Sequence, residues 1–307
     1  MAKVFIDGSA GTTGLRIYER LEQRSDLELI RLPEELRKDP GARKDALDSA
    51  DIAFLCLPDA AAVEAVSLLE NPNTAIIDTS TAHRTSDGWA YGFPELHGLR
   101  EQIQTSKRIA NPGCHASGFI SLVEPLVRLG VLKPDVQLTC FSLTGYSGGG
   151  KKMIAEYEAP QRSALLDAPR MYGLSQQHKH LPEMSKICGL QTLPVFCPIV
   201  APFYSGMEVT VSLFADMIDG GIEAVRAAYR EYYQNGLVHF CENADENGFL
   251  SATAFSGRDD MQITACGNGE RVLLVSRFDN LGKGASGAAI QNMNLLLGVD
   301  ETTGLNV

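Results

Sequence analysis

The stretch Val4-Phe5-Ile6-Asp7-Gly8-Ser9-Ala10-Gly11-Thr12-Thr13-Gly14-Leu15 runs from a short apolar segment into three glycines spaced three apart. The apolar segment reads as a strand. Beyond the glycines, Leu15, Tyr18 and Leu21 recur three apart and mark one face of a helix. Glycines between a strand and a helix let the backbone turn sharply and approach a pyrophosphate. The free N–H groups at the helix start attract its charge. The spacing is Gly-x-x-Gly-x-x-Gly rather than the common Gly-x-Gly-x-x-Gly, so the strand–turn–helix context carries the reading. It makes Gly8, Ser9, Gly11, Thr12, Thr13 and Gly14 the expected contacts of a dinucleotide.

The neighbouring sequence repeats the alternation. Residues 27–32 read as a second strand stopped by Pro33, and residues 52–57 form an apolar run ended by Pro58, as suits a parallel strand buried on both faces. Residues 60–69 read as a helix and 75–77 as a further strand. Strands alternating with helices through short connections imply an α/β fold with a Rossmann-like, doubly wound parallel sheet. At the end of the second strand, where Asp or Glu would read a ribose 2′-OH, Arg31 stands instead and favours the 2′-phosphate of NADP, the rival reading being a solvated surface charge; Glu28, mid-strand, is a poorer ribose reader.

After residue 113 the pattern changes. A helix is expected at 115–129, followed by strands at 136–143, 193–200, 207–213 and 272–278 with alternating or β-branched residues. This describes an α+β second domain with a mixed or antiparallel sheet. The small-residue helix at 284–297 is expected to return to the first domain. The expected division is 1–113 with 284–307 for the cofactor, and 114–283 for catalysis, substrate and oligomerisation. A chain of 307 residues suits about two domains.

Composition narrows the function. With 44% apolar and 21% charged residues the chain is an ordinary globular one, not a disordered one. A formal charge of −11 disfavours nucleic acid or an anionic membrane as partner. No apolar run reaches the ~18 residues of a membrane span, and neither a span nor a signal peptide is expected. The seven cysteines are odd in number and never spaced Cys-x-x-Cys, which argues against a disulfide framework or a structural zinc. These features together describe a cytoplasmic protein with free thiols and no metal.

Among those thiols, Cys56, Cys140 and Cys197 lie in apolar strand runs and read as packing residues. Cys114 follows Asn111-Pro112-Gly113 and leads directly into a helix, whose positive end favours thiolate over thiol. It is the candidate nucleophile. His178 and His180, flanking Lys179, would point the same way from extended backbone, giving one acid–base partner for the thiolate and one substrate contact. A metal pair would need a third ligand of matched spacing. His83, His97, His115 and His239 are expected to be satisfied surface histidines. The segment Gly145 to Lys152 approximates a phosphate loop but has Lys152 where Ser or Thr would hold Mg²⁺; a turn presenting amides and Lys151 to a substrate anion fits better.

At these residues the chain resembles the N-acetyl-γ-glutamyl-phosphate reductase family, in its shorter form, related to aspartate-semialdehyde dehydrogenases. The matching segments are Gly8–Gly14, Asn111-Pro-Gly-Cys114, Ser147-Gly-Gly-Gly-Lys151, His178-Lys-His180-Leu-Pro-Glu183 and Asp279-Asn-Leu-Gly-Lys-Gly-Ala285, with Tyr91-Gly-Phe-Pro-Glu95 and Gln291-Asn-Met-Asn294. The resemblance covers nearly the whole chain. It implies NADPH-dependent reductive dephosphorylation of a small acyl phosphate through a thioester on Cys114, within arginine biosynthesis. His180 would be the general acid–base, with His178 the runner-up. The resemblance also implies Asn280 toward the nicotinamide, Ser80, Arg84, Lys151 and Arg162 toward phosphate or carboxylate, and a homodimer or homotetramer formed through the second domain's sheet. Two rival readings are aspartyl-phosphate reduction by the same Cys–His logic and a non-catalytic nucleotide-sensing protein.

Overall fold

The computed structural model describes all 307 residues and divides into two compact units, Met1–Pro112 with Ala285–Asn306, and Gly113–Gly284. The first unit runs β1 (Ala2–Asp7), α1 (Thr12–Leu21), β2 (Leu27–Ile30), α2 (Pro40–Ser49), β3 (Ile52–Leu55), α3 (Asp59–Leu68), β4 (Ala75–Asp78), β5 (Ala90–Tyr91), α4 (Leu99–Thr105) and β6 (Arg108–Ala110). Its six strands are all parallel in the order β2-β1-β3-β4-β6-β5. Because side chains alternate across a strand, β1, β3 and β4 each feed two cores. Val4, Ile6, Ile52, Phe54 and Ile77 pack with Ile17 and Leu21 of α1, whereas Phe5, Ala53, Leu55 and Ile76 pack with Leu47 of α2 and Ala62 of α3. Helices on both faces make the sheet doubly wound. From β1 the chain passes first to one side and then the other, so the glycine loop opens at the switch point beside β3, where such sheets bind ligands.

The second unit runs α5 (Cys114–Arg128), β7 (Thr139–Gly145), α6 (Gly150–Glu158), β8 (Arg170–Met171), α7 (Leu181–Cys188), β9 (Val195–Ala201), β10 (Met207–Phe214), α8 (Gly221–Tyr232), β11 (Val238–Phe240), β12 (Met261–Gly267) and β13 (Arg271–Phe278). The seven strands form a mixed sheet, β11-β12-β13-β10-β7-β9-β8, with β7/β9 and β11/β12 parallel and the other pairs antiparallel. Buried α5 lies against one face. A Cβ on its Gly118 would fall 2.4 Å from Val209 Cγ2, so glycine sets how closely the helix seats on the sheet. The other face presents Phe141, Val195, Phe214 and Leu273 to solvent. The chain then returns to the first unit, where α9 (Gly287–Leu297) adds Ala289, Ile290 and Met293 to the α1-side core. No helix is long and apolar enough to cross a membrane.

Candidate active site

In the first unit, Gly8 has φ +85°, and a Cβ there would lie 2.3 Å from the carbonyl oxygen of Cys56; one on Gly14 would lie 2.5 Å from that of Gly8. The fold itself demands both glycines. Gly11 differs, since its Cβ would meet nothing nearer than 3.4 Å; its bareness leaves room for a ligand. Gly11 caps α1 without a side-chain hydrogen bond, the first turn holds no acid, and the buried Oγ1 of Thr12 makes no hydrogen bond. A helix start with open amides, an orphaned hydroxyl and no competing carboxylate fits a pyrophosphate. Ser9 and Thr13, half-buried, flank this cradle. Arg31 follows β2 and is exposed, with Nη2 donating to Glu22 Oε1 at 2.8 Å and its guanidinium 5.1 Å from the Tyr18 ring centre.

One residue behind this loop escapes sequence reasoning. Asp7 ends β1 in the core and accepts from Nε and Nη2 of Arg43 in α2, at 3.1 and 2.9 Å. Burial raises the Asp7 carboxyl despite the opposing pull of Arg43. The guanidinium thus counters a buried charge just where an anionic ligand would otherwise be repelled.

Ser80 and Arg84, expected at the substrate, are engaged by the first unit. Ser80 Oγ donates to Asp78 Oδ2 at 2.8 Å; Arg84 Nε donates to Asn111 O at 2.9 Å and Nη2 to Thr79 O at 3.0 Å. Both side chains are buried and hold the ends of β4 and β6. His83 corrects the surface expectation: it is buried, 2.6 Å from Asp78 Oδ2, and its ring stacks on Trp89 at 4.0 Å. His97 and His239 are exposed.

In the second unit Cys114 is the first residue of α5, half-buried, with Gly113 as its cap. Gly113 N–H donates to the buried Glu183 Oε2 at 3.2 Å. The backbone at Gly284 passes so close that a Cβ there would sit 3.0 Å from that of Cys114, which explains a glycine at this point of the Lys-Gly-Ala segment. Elsewhere, burial pushes the Cys56 thiol up to about 12 and raises Cys140 and Cys188 as well, as inert packing cysteines should behave.

Three histidines gather beside the start of α5. Ring centres of His115 lie 5.6 Å from both His178 and His180, which are 4.7 Å apart. His178 and His180 meet through a turn rather than extended backbone, because His180 is helical and caps α7. The His180 N–H donates to His178 Nδ1 at 3.2 Å, which leaves the His178 ring proton on Nε2 in the neutral form. His115 is the second correction to the surface expectation. It is buried, with Nδ1 2.6 Å from Ser142 Oγ and Nε2 2.7 Å from the Tyr172 hydroxyl. Burial, aided by His178, lowers its imidazole to about 3, so it stays neutral throughout the physiological range.

The remaining expected contacts also belong to the second unit. Asn280 is buried and its amide braces the second unit, with Nδ2 donating to Ser147 Oγ at 2.9 Å and Oδ1 accepting from Gly206 N at 3.0 Å. In this way Asn280 holds the Gly145–Gly150 turn. Lys151 is exposed in the first turn of α6. Arg162 donates to Tyr157 O at 2.9 Å and pairs with Asp167, so the chain already occupies its guanidinium.

A semialdehyde dehydrogenase NAD-binding domain model matches residues 33–106, and a semialdehyde dehydrogenase dimerisation domain model matches 114–280. N-acetyl-gamma-glutamyl-phosphate reductase 2 of Nostoc sp. is 44% identical over 99% of both chains; the reductase of Brucella ovis is 46% identical over 96% of this chain and 99% of its own. Among solved structures, aspartate semialdehyde dehydrogenase II of Vibrio cholerae overlays 97% of this chain and 98% of its own, with a TM-score of 0.71 at 17% identity. The Candida albicans enzyme, solved with NADP, gives 0.70 at 16% over 97% and 98%. That likeness shows the shared fold. The identity and coverage of the sequence relatives show more: the chain belongs to the N-acetyl-γ-glutamyl-phosphate reductase family of semialdehyde dehydrogenase-like proteins.

Proposed function

We propose that this protein reduces N-acetyl-γ-glutamyl phosphate to N-acetylglutamate semialdehyde with release of phosphate, using NADPH, in the cytoplasm and as a step of arginine biosynthesis. The observation that carries the reading is Cys114 at the first position of α5, next in sequence to His115, around whose ring His178 and His180 pack. The helix start favours thiolate, and thiolate sulfur attacks the acyl carbon of an acyl phosphate, breaking the C–O bond and expelling phosphate. The thioester left on Cys114 is a better hydride acceptor than a carboxylate. A bound nicotinamide cofactor supplies the hydride. The resulting hemithioacetal oxygen takes a proton as it forms and gives it back as the C–S bond breaks, freeing aldehyde and thiolate.

His180 is the acid–base group in this reading. His178 Nδ1 already accepts the His180 N–H, so protonating that nitrogen would break a bond the turn depends on. Amides at the start of α5 stabilise the developing oxyanion. The first unit holds the cofactor through Gly8, Ser9, Gly11, Thr12, Thr13 and Gly14. Arg31 would leave Glu22 for a 2′-phosphate. Lys151, the exposed cation of the expected substrate set, attracts the substrate anion. A second copy covers the apolar sheet face that carries Phe141, Val195, Phe214 and Leu273, giving a homodimer or a tetramer built from it. The test compares N-acetylglutamate semialdehyde with aspartate semialdehyde in phosphate-dependent reduction of NADP⁺. A clear preference for the acetylated compound supports the proposal; a preference for aspartate semialdehyde overturns its substrate.

A further inference from the structure

We propose that His115 is a positioning residue of this reaction, a neutral bridge from Ser142 of β7 that holds the Tyr172 hydroxyl beside Cys114; the inference rests on the acyl-phosphate reading above. The geometry leaves His115 little else to do. Both ring nitrogens lie within hydrogen-bond distance of hydroxyls, Ser142 Oγ at 2.6 Å and Tyr172 at 2.7 Å. Phe196 meets the ring edge-on at 5.4 Å, and His178 and His180 stand at 5.6 Å, so the imidazole is locked on every side.

A neutral imidazole donates from one nitrogen and accepts at the other. When Ser142 donates to Nδ1, Nε2–H donates to the Tyr172 oxygen, and the phenol's own proton is released for another acceptor. That acceptor is the reacting centre at Cys114. Burial, aided by the charge of the Cys114 side chain, holds the phenol protonated. A protonated Tyr172 can donate to sulfur or to the developing oxyanion without titrating. The neighbouring groups that could carry charge are Cys114, His178, His180 and Tyr172. Protonating His115 would put a cation against His178 and His180 and convert its acceptor nitrogen to a donor, so the bridge works only in its neutral state.

The two amide analogues of histidine separate its two nitrogens. An Asn amide reaches about as far as Nδ1 and serves Ser142, whereas a Gln amide reaches about as far as Nε2 and serves Tyr172. His115→Asn and Tyr172→Phe should each lower kcat by about tenfold or more, with cofactor affinity unchanged, while His115→Gln stays within about threefold of wild type. The double variant His115→Asn/Tyr172→Phe should be no worse than its poorer parent, because the two act through one contact. The pH profile of kcat/KM should keep its acid limb in His115→Asn, since His115 does not titrate there. Multiplicative losses, a better Asn than Gln variant, or a displaced acid limb would overturn the proposal. If a variant folds poorly, Ser142→Ala gives a milder perturbation in which kcat should fall and KM hold; unchanged kcat would count against the bridge. Iodoacetamide alkylation of Cys114 needs no substrate. It should slow at neutral pH in Tyr172→Phe and His115→Asn, and an unchanged rate would refute the bridge even if the physiological acyl phosphate differed.

Discussion

Acidification should destabilise this protein through His115, and the structure sets the size of the effect. The imidazole is lowered from 6.5 to about 3 because burial, with His178 nearby, opposes its charge. The unfolded chain takes up a proton near 6.5 that the folded chain refuses. Stability is therefore fully present above pH 6.5 and is lost as pH falls toward about 3. Each pH unit within that window removes about 1.4 kcal/mol. Between pH 7 and pH 5 the loss is about 2 kcal/mol, fixed almost wholly by the unfolded value because pH 5 lies well above the folded one. Urea unfolding of wild type and His115→Asn at pH 7 and pH 5 isolates the residue, since every other titrating group is shared and cancels. The wild type should lose about 2 kcal/mol more than the variant between the two pH values. Equal losses would refute the claim that His115 is buried neutral.

Other expectations are as specific. Gly8→Ala should destabilise the fold by about 2 kcal/mol or more, given a positive φ and a Cβ overlapping the Cys56 carbonyl. Gly11→Ala should instead melt like wild type but bind cofactor more weakly; thermal shift with and without NADPH distinguishes them, and equal melting losses would remove Gly11 from the cradle. His180→Asn should lower kcat by about 100-fold or more, and by more than His178→Asn; the reverse order would exchange their roles. Arg31→Ala should raise KM for NADPH about tenfold, the size of a lost charge-assisted hydrogen bond, and leave NADH nearly unchanged. Equal effects on both cofactors would leave Arg31 a surface partner of Glu22.

Much of the first unit is legible because its strands are buried on both faces. The run Ile52 to Leu55 must be apolar at every position to feed both cores, so it stands out in the sequence. Helix α2 does not stand out: half of its residues are polar, it buries only Arg43, Ala46 and Leu47, and its sign is Asp39 capping Ala42 N–H before Pro40. Cys114 was legible because its chemistry is local, a thiol after Pro-Gly at a helix start. His115, one residue on, was not. Its burial depends on Ser142 and Tyr172, 27 and 57 residues away in sequence. The same distance dependence hides the Asp7–Arg43 pair and the internal engagement of Arg84 and Asn280. Arg84 serves the carbonyls of Thr79 and Asn111, and Asn280 serves the Ser147 hydroxyl and the Gly206 N–H, partners that a motif does not name.

The most direct test of the account is to trap the acyl group on the enzyme. Mixing the protein with N-acetyl-γ-glutamyl phosphate in the absence of NADPH, quenching in acid and mapping peptides by mass spectrometry should show one acetylglutamyl adduct, on Cys114, with one phosphate released per site. Addition of NADPH before the quench should discharge it as semialdehyde, and Cys114→Ser should form none. Full reductase turnover by Cys114→Ser, or an adduct on any other residue, would contradict the account.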